Sequence, residues 1–166
     1  MRTRILIMIR DDGATAAAET VLVLPLIFSL LFGAFELGNY FLTEHKVVKA
    51  VRDGARYAAR QPYADYPGCS PSQGLIDRTR NVTRTGQVAD GGTPRVNTWT
   101  NAATITVTTT CNTSGTYTGI YLNSAIGTPV VTVAATVPYT PLLAQLGLAN
   151  VSLGLNARSH AAVTAI

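Results

Sequence analysis

Two carboxylates stand beside and inside an apolar stretch near the start of the chain. Glu19 opens the stretch and Glu36 lies near its end, in the sequence ETVLVLPLIFSLLFGAFELG. A carboxylate in a membrane is costly unless it meets a partner or water. Glu19 could instead be a residue favoured by the helix dipole, by about 0.3–1 kcal/mol. For Glu36, contact with water at the outer end and a basic partner on another subunit are equal alternatives.

The two cysteines offer a second kind of chemistry. Cys69 and Cys111 are the only cysteines in the chain, and their spacing is not that of a metal site. One disulfide formed in an oxidising compartment is the simplest interpretation. Two unrelated buried thiols are the alternative.

The remaining residue types do not indicate catalysis. The two histidines, His45 and His160, each stand alone on a predicted element. The sequence contains no evident Ser–His–acid set, carboxylate pair, metal-ligand cluster or Gly-rich phosphate loop. We therefore predict that the protein is not an enzyme and has no metal or cofactor. We expect His160 to face solvent from a strand.

The apolar stretch has the length of a membrane span. Hydrophobic residues make up 47% of the chain and charged residues only 13%, whereas soluble domains carry about 25% charged residues. As a helix, residues 21–42 are about 33 Å long, close to the thickness of a hydrocarbon core. The apolar core of a cleaved secretory signal would be shorter and followed by small residues, but here the small residues 13–18 come first. We favour a retained span over a buried soluble helix.

A helical pattern continues beyond the span. Apolar residues recur at steps of three and four, which predicts one buried helix face: Val47, Val48, Val51, Ala55, Ala58 and Ala59. Basic residues recur at the same steps on another face: Lys46, Lys49, Arg52, Arg56 and Arg60. We predict one helix from about Thr15 to Arg60, with Pro25 tolerated inside the span. Gly54 either permits close helix packing or is merely tolerated.

The basic face is expected to meet solvent or lipid headgroups. Its net charge is modest and no aromatic residues are interleaved with it, so it does not predict nucleic-acid binding.

The rest of the chain predicts a small α+β domain. Residues 61–74 have the prolines and glycines of a loop. Residues 75–86 predict a short amphipathic helix, with Leu75, Ile76 and Val82 inside and Arg78, Arg80 and Arg84 outside.

Alternating apolar and polar residues predict strands over 103–111, 130–139 and 151–163, with the odd-numbered side chains buried. Residues 140–150 could cover one end of the sheet. The predicted fold is therefore α+β: a long N-terminal membrane-spanning helix, with three or four antiparallel strands packed on its extramembrane half.

Four pieces of sequence in the first third of the chain carry a family resemblance. They are DDGATA at 11–16, the E…VLVLP pattern at 19–25, FGAFELG at 32–38 and VRDGARYAA at 51–59. In this order and approximate spacing, residues 13–60 resemble the TadE-like family, which are pseudopilins of tight-adherence (Tad/Flp) pili. The C-terminal sequence from Val131 to Ala161 looks, more loosely, like the family's closing strand pair.

The resemblance implies a processed membrane protein. Such proteins are made as prepilins and are cut on the cytoplasmic side by a membrane aspartyl prepilin peptidase, after a glycine. This implies a cytoplasmic N-terminus and an exported C-terminus, and it overrides the count of flanking basic residues, which by itself favours the opposite orientation. The implied organisation is a cytoplasmic leader (1–13), a long helix (14–60) containing the span (21–42), and an exported α+β domain (61–166).

The implied cleavage site has two versions. In the family pattern a glutamate is the fifth residue after the cut. Glu19 is the sixth if the cut falls between Gly13 and Ala14, and the fifth if it falls between Ala14 and Thr15. We prefer the cut after Gly13, because the missing side chain suits the close approach that a protease needs.

The resemblance also implies roles in assembly. Glu19 is expected to pair with the free amine of a neighbouring subunit, and Pro25, Glu36, Gly38 and Gly54 are expected to act in assembly and helix packing. The implied function is that of a minor pilin or pseudopilin of the bacterial inner membrane, with the extracellular pilus as a second implied location. The implied partners are other pilins and pseudopilins, the prepilin peptidase, the inner-membrane assembly platform and membrane lipid. The alternative is an unprocessed, single-pass anchored domain that binds a partner or a surface.

Overall fold

The structure, a computed structural model, describes residues 12–122, 124, 126–145, 147 and 153–165. In chain order its main elements are α1 (Asp12–Ala59), α2 (Gln73–Thr85), β1 (Ile105–Asn112), β2 (Thr128–Tyr139), α3 (Leu142–Gln145) and β3 (Leu153–Ala162). The chain divides into two compact units, residues 1–39 and 40–166, and α1 contributes to both. A long apolar helix followed by a small antiparallel sheet confirms the predicted α+β fold.

The sheet has three strands in the order β1-β2-β3, and both pairings are antiparallel. Ile105 faces Ala135 at one end of the β1–β2 ladder and Asn112 faces Thr128 at the other. Strand β2 is central, and it pairs with β1 over residues 128–135 and with β3 over residues 130–139. The described residues form three strands, the lower of the two predicted numbers.

The core of the second unit lies between the sheet and the second half of α1. The helix supplies a stripe of buried residues at steps of three and four: Val47, Ala50, Val51, Gly54, Ala55, Ala58 and Ala59. The sheet supplies odd-numbered side chains, as predicted, among them Ile105, Val131, Val133, Val137 and Leu155. Ala103 was also expected to be buried, but it is exposed and lies in a 3-10 turn before β1. The helix side of this core is built largely from alanines, which join the larger strand side chains in one cluster.

The end of the sheet near α3 differs from the prediction. Leu153 was expected to be buried, but it is 45% exposed. It is the first residue of an edge strand and has a neighbouring strand on one side only. The predicted strand residues 151–152, and much of the segment expected to cover this end, lie outside the described residues.

Helix α2 follows the predicted amphipathic pattern but starts two residues earlier. The Oγ of Ser72 accepts a hydrogen bond from the backbone N–H of Leu75, which caps the start of the helix. Gly86 ends it in the left-handed conformation, with a φ of 83°.

The three arginines of α2 that were predicted to lie outside are only partly exposed. They are half-buried and bind within the chain: Arg78 to Asp65, Arg80 to the carbonyl of Ile105, and Arg84 to the carbonyl of Thr100. A long arginine side chain can lie along the protein surface and still donate at its tip, so its charge alone does not place it in solvent.

Candidate assembly and processing site

The first part of α1 exposes an apolar surface. An 18-residue window of the helix has a mean hydropathy of 2.2, and none of it is buried by the rest of the described chain. Leu22, for example, is 79% exposed and Phe35 is 61% exposed. Apolar surface of this extent needs lipid or neighbouring helices to cover it. The helix is long and apolar enough to cross a membrane once.

Glu19 lies on the exposed surface of this helix, close to its start. Among the described residues, no cation lies within ion-pair distance of its carboxylate. In the turn around it, Thr20 Oγ1 donates to the carbonyl of Ala16 at 2.8 Å.

Pro25 lies within α1, and the helix continues on both sides of it. Its carbonyl accepts a hydrogen bond of 2.7 Å from Ser29 Oγ, one turn later. This bond reaches the carbonyl of Pro25 itself and does not replace the backbone bond that the missing N–H of the proline removes four positions earlier.

The two other predicted positions of the first unit differ in burial. Glu36 is half-buried and Gly38 is exposed. A Cβ added at Gly38 would meet no atom within 4 Å. This position therefore leaves open space on the surface of α1.

The predicted cleavage positions lie at the start of α1. Gly13, Ala14 and Thr15 have helical backbone in its first turn, whereas residues 1–11 of the predicted leader lie outside the described residues. The N–H groups of a first turn have no partner inside the helix.

Gly54 is buried between α1 and α2. A Cβ at this position would collide with the Oγ1 of Thr83 and would lie 3.2 Å from its Cβ. Thr83 is itself fully buried, and its hydroxyl donates to the carbonyl of Thr79 at 2.7 Å. The close approach at Gly54 is thus made to a helix of the same chain.

The end of α1 is capped by residues that the sequence analysis missed. Tyr66 Oη donates to the carbonyl of Ala58 at 2.6 Å, and the backbone N–H of Thr164 donates to the carbonyl of Ala59 at 2.8 Å. The last carbonyls of a helix lack the usual intrahelical partners, and these bonds from outside the helix help to satisfy them. Burial, and secondarily the charge of Asp65, raises the pKa of Tyr66.

An ion pair that the sequence did not predict joins α1 to the loop after α2. Arg95 Nη1 lies 2.6 Å from the Oδ2 of Asp53, and both side chains are about one-third exposed or less. Arg95 lies in the loop after α2, 42 positions away in the chain. Neither residue's surroundings carried a sequence signal for this pairing, because it joins two segments that come together only in the folded unit.

A row of basic side chains runs along the solvent side of the same half of α1. We call it the basic stripe, and it consists of Lys46, Lys49, Arg52, Arg56 and Arg60, all exposed. At its far end, Asp53, Arg56, Tyr57 and Arg60 line a shallow groove of about 310 Å³. The predicted solvent-facing basic face is confirmed as an exposed surface.

Cys69 and Cys111 form a disulfide, which confirms the predicted bridge. Their Cα atoms are 6.1 Å apart, and the bridge joins the loop after α1 to the end of β1. Within the described residues there is no free cysteine.

The histidines do not contribute to a polar cluster. His160 is exposed on β3, as predicted, and its Nδ1 lies 2.8 Å from Thr132 Oγ1 on the neighbouring strand. In the part of the chain that the structure describes, no three His, Cys, Asp or Glu side chains come together in a way that could hold a metal ion.

Comparison with known proteins adds one finding. Residues 13–56 match the model of a protein family described as TadE-like protein. The match covers about a quarter of the chain, and it confirms the resemblance for the segment that starts at the predicted cleavage position and includes most of α1. Neither the curated proteins nor the solved structures contain a match to the chain.

Proposed function

We propose that this chain is a minor pilin or pseudopilin that is cut by a prepilin peptidase and takes part in assembling or capping a Tad/Flp pilus used for surface adherence. The observation that carries the proposal is the TadE-like match over residues 13–56, which falls on a helix with an uncovered apolar surface. Its role is structural: the helix is the part that joins other subunits, and no catalytic step is required of it.

The exposed surface of the first part of α1 supports side-by-side helix packing. Large apolar side chains such as Leu22 and Leu30 remain open on the single chain. In a membrane, lipid covers such a surface, and in a filament, neighbouring helices take its place. Gly38 offers a point of close approach, because small residues let helix backbones come near one another.

Glu19 supports an assembly role on electrostatic grounds. A cut after Gly13 creates a new amine on Ala14, and Glu19 is then the sixth residue of the mature chain. A carboxylate near the edge of the bilayer is stabilised when it meets such an amine on a neighbouring subunit. The absence of a cation near Glu19 within the described chain leaves its carboxylate open to this pairing.

The disulfide supports export of the second unit. A Cys69–Cys111 bridge persists in an oxidising compartment and is rare in the cytosol. The corresponding orientation has a cytoplasmic N-terminus, one crossing of the bacterial inner membrane, and the sheet on the far side. The partners are then other pilins and pseudopilins, the prepilin peptidase, the assembly platform and lipid.

The mature N-terminus tests the proposal. We expect mass spectrometry of the membrane fraction to find chains that start at Ala14, or at Thr15 if the alternative cut is used. Gly13→Asp should leave only the full-length chain, because a charged side chain would occupy the place where glycine allows close approach of the backbone. Gly13→Ala is the matched control, since it adds only a methyl group, and it should still be cut.

An uncut parent chain in cells with an active prepilin peptidase would contradict the proposal. That result would instead favour an unprocessed, single-pass anchored domain that binds a partner or a surface. Normal cutting of Gly13→Asp would move the site to the bond after Ala14.

A further inference from the structure

The acidic side chains of its own unit are too few to neutralise the basic stripe. Residues 40–166 contain ten Lys and Arg but only five Asp and Glu. Three of those five acids are already engaged, in the pairs Asp53–Arg95, Asp65–Arg78 and Asp77–Arg80. Among the described residues, none of the five stripe side chains lies in an ion pair.

The stripe is also geometrically regular. Its members are separated by three, three, four and four residues, which keeps them on one face of the helix. From Lys46 to Arg60 the face is about 21 Å long. Like charges at these steps repel one another, so the arrangement opposes helix formation unless something neutralises it.

We propose that the basic stripe docks an acidic helix of a different protein, one that presents Asp and Glu at steps of three and four. This inference rests on the proposed function and specifies the kind of neighbour that the second half of α1 accepts. Arg56 and Arg60, one turn apart around the shallow groove, suit carboxylates because a guanidinium can bind a carboxylate through two parallel hydrogen bonds.

A second copy of this chain does not fit the stripe. Two stripes would repel each other if they met. Outside the three ion pairs, residues 40–166 hold only Glu44 and Asp90, and Asp90 accepts a hydrogen bond from Asn81. The first part of α1 adds Glu19 and Glu36. No two of these acids are three or four positions apart, so they cannot match five regularly spaced cations, and charge complementarity points to another protein.

Lipid phosphates account for only part of the stripe. The headgroup region on one side of a bilayer is about 5–8 Å thick. The stripe is about 21 Å long, so phosphates could cover all of it only if this half of the helix lay flat on the membrane. An acidic helix alongside α1 would match its full length.

Photocrosslinking in cells tests the proposal on the full chain. A benzoylphenylalanine is placed at position 52, in the middle of the stripe, and the crosslinked protein is identified by mass spectrometry. We expect a different membrane protein with acidic residues at helical spacing. Arg56→Glu combined with Arg60→Glu should then lower the crosslink yield at least tenfold, and Lys in place of the partner's acids should restore it.

Arg158→Glu is the matched control, because Arg158 is an exposed arginine on β3, away from the stripe, and outside the three ion pairs. It should leave the yield unchanged. Formation of the Cys69–Cys111 bridge on a non-reducing gel shows that each variant has folded, so a lost crosslink can be assigned to the stripe.

Several outcomes would overturn the inference: crosslinks only to a second copy, crosslinks only to phosphatidylglycerol, a yield that charge reversal does not change, or a loss that charge exchange does not restore. N-terminal processing and recovery in sheared pili are measured on the same cells. If the parent is cut and recovered in pili, and the stripe variants crosslink as well as the parent does, this inference alone is overturned. A parent that is never cut contradicts the proposed function instead.

Discussion

Tyr66 Oη donates a hydrogen bond of 2.6 Å to the carbonyl oxygen of Ala58, in the last turn of α1. The tyrosine is fully buried, and it belongs to the proline-containing loop that also carries Cys69. The bond therefore satisfies a carbonyl at the helix end and holds the loop against the helix from which it departs. It positions the segment that the disulfide then joins to β1.

Replacing this tyrosine tests the strength of the cap. Tyr66→Phe keeps the ring and removes the hydroxyl, so we expect a loss of about 1–2 kcal/mol in the free energy of unfolding. Urea unfolding of the full chain in detergent can be followed by the fluorescence of Trp99, the only tryptophan, which is fully buried. The backbone N–H of Gln61 also donates to Ala58, which limits the loss. A variant as stable as the parent would show that the bond contributes nothing.

The same tyrosine predicts a pH dependence. Burial raises the pKa of Tyr66 above its ordinary value of 10.0, so the folded chain holds this proton more tightly than the unfolded chain does. The resulting stability is fully present below about pH 10 and is lost as the pH rises through the raised pKa. The stability difference between parent and Tyr66→Phe should therefore shrink between pH 9 and pH 11. An equal difference at both pH values would contradict this linkage.

Gly54 tests the contact between α1 and α2. Gly54→Ala adds a Cβ that collides with Thr83, and we expect a loss of about 1–3 kcal/mol, although alanine is the better helix former. Thr83→Ala in the same chain removes the colliding oxygen and should recover part of the loss. Gly38→Ala is the control, because its Cβ meets no atom within 4 Å. Urea unfolding followed through Trp99 measures all three variants, and a Gly54→Ala chain more stable than the parent would refute the contact.

The disulfide links residues 42 positions apart, and its removal tests its contribution to stability. Chain-entropy estimates for a loop of this size give about 4 kcal/mol. We expect Cys69→Ser combined with Cys111→Ser to lower the free energy of unfolding by about this amount. Thiol alkylation of the exported parent, run on non-reducing gels, should find no free thiol. Two freely alkylated cysteines in the folded parent would contradict both the bridge and its support for export.

Substitution of Glu19 distinguishes an effect on assembly from an effect on folding. Glu19→Ala removes the carboxylate and keeps the helix, since alanine is the best helix former. We expect normal insertion and a normally folded second unit, but poor recovery in sheared pili or in crosslinked complexes with other pilins. Glu19→Gln is the matched control that keeps the size of the side chain, and it should fail in the same way if the charge is what matters.

Two results would contradict the pairing of Glu19 with an amine. Assembly of Glu19→Ala at the level of the parent would leave Glu19 as a residue favoured only by the helix dipole. If the variant failed to insert into the membrane, the charge of Glu19 would be needed for insertion, which precedes assembly.

The sequence by itself determined the features that depend on local pattern. A run of apolar residues from 21 to 42 predicts a span whatever surrounds it, and the alternation in β1 and β2 determines which side chains face the core. The disulfide partner needed no structure either, because Cys69 has only Cys111 to pair with. The resemblance to the TadE-like family could also be recognised from the sequence, because its motifs lie along one continuous helix.

Only the tertiary structure decided which distant groups meet. Periodicity shows that Gly54 lies on the buried face of α1, but not that Thr83 of α2 lies against it. The charge of Arg95 predicts exposure, whereas folding brings it to Asp53, 42 positions away. A local pattern specifies the face on which a residue lies. The partner on that face is set by how the helices and the sheet pack together, because that packing determines which donors, acceptors and side-chain volumes come within reach.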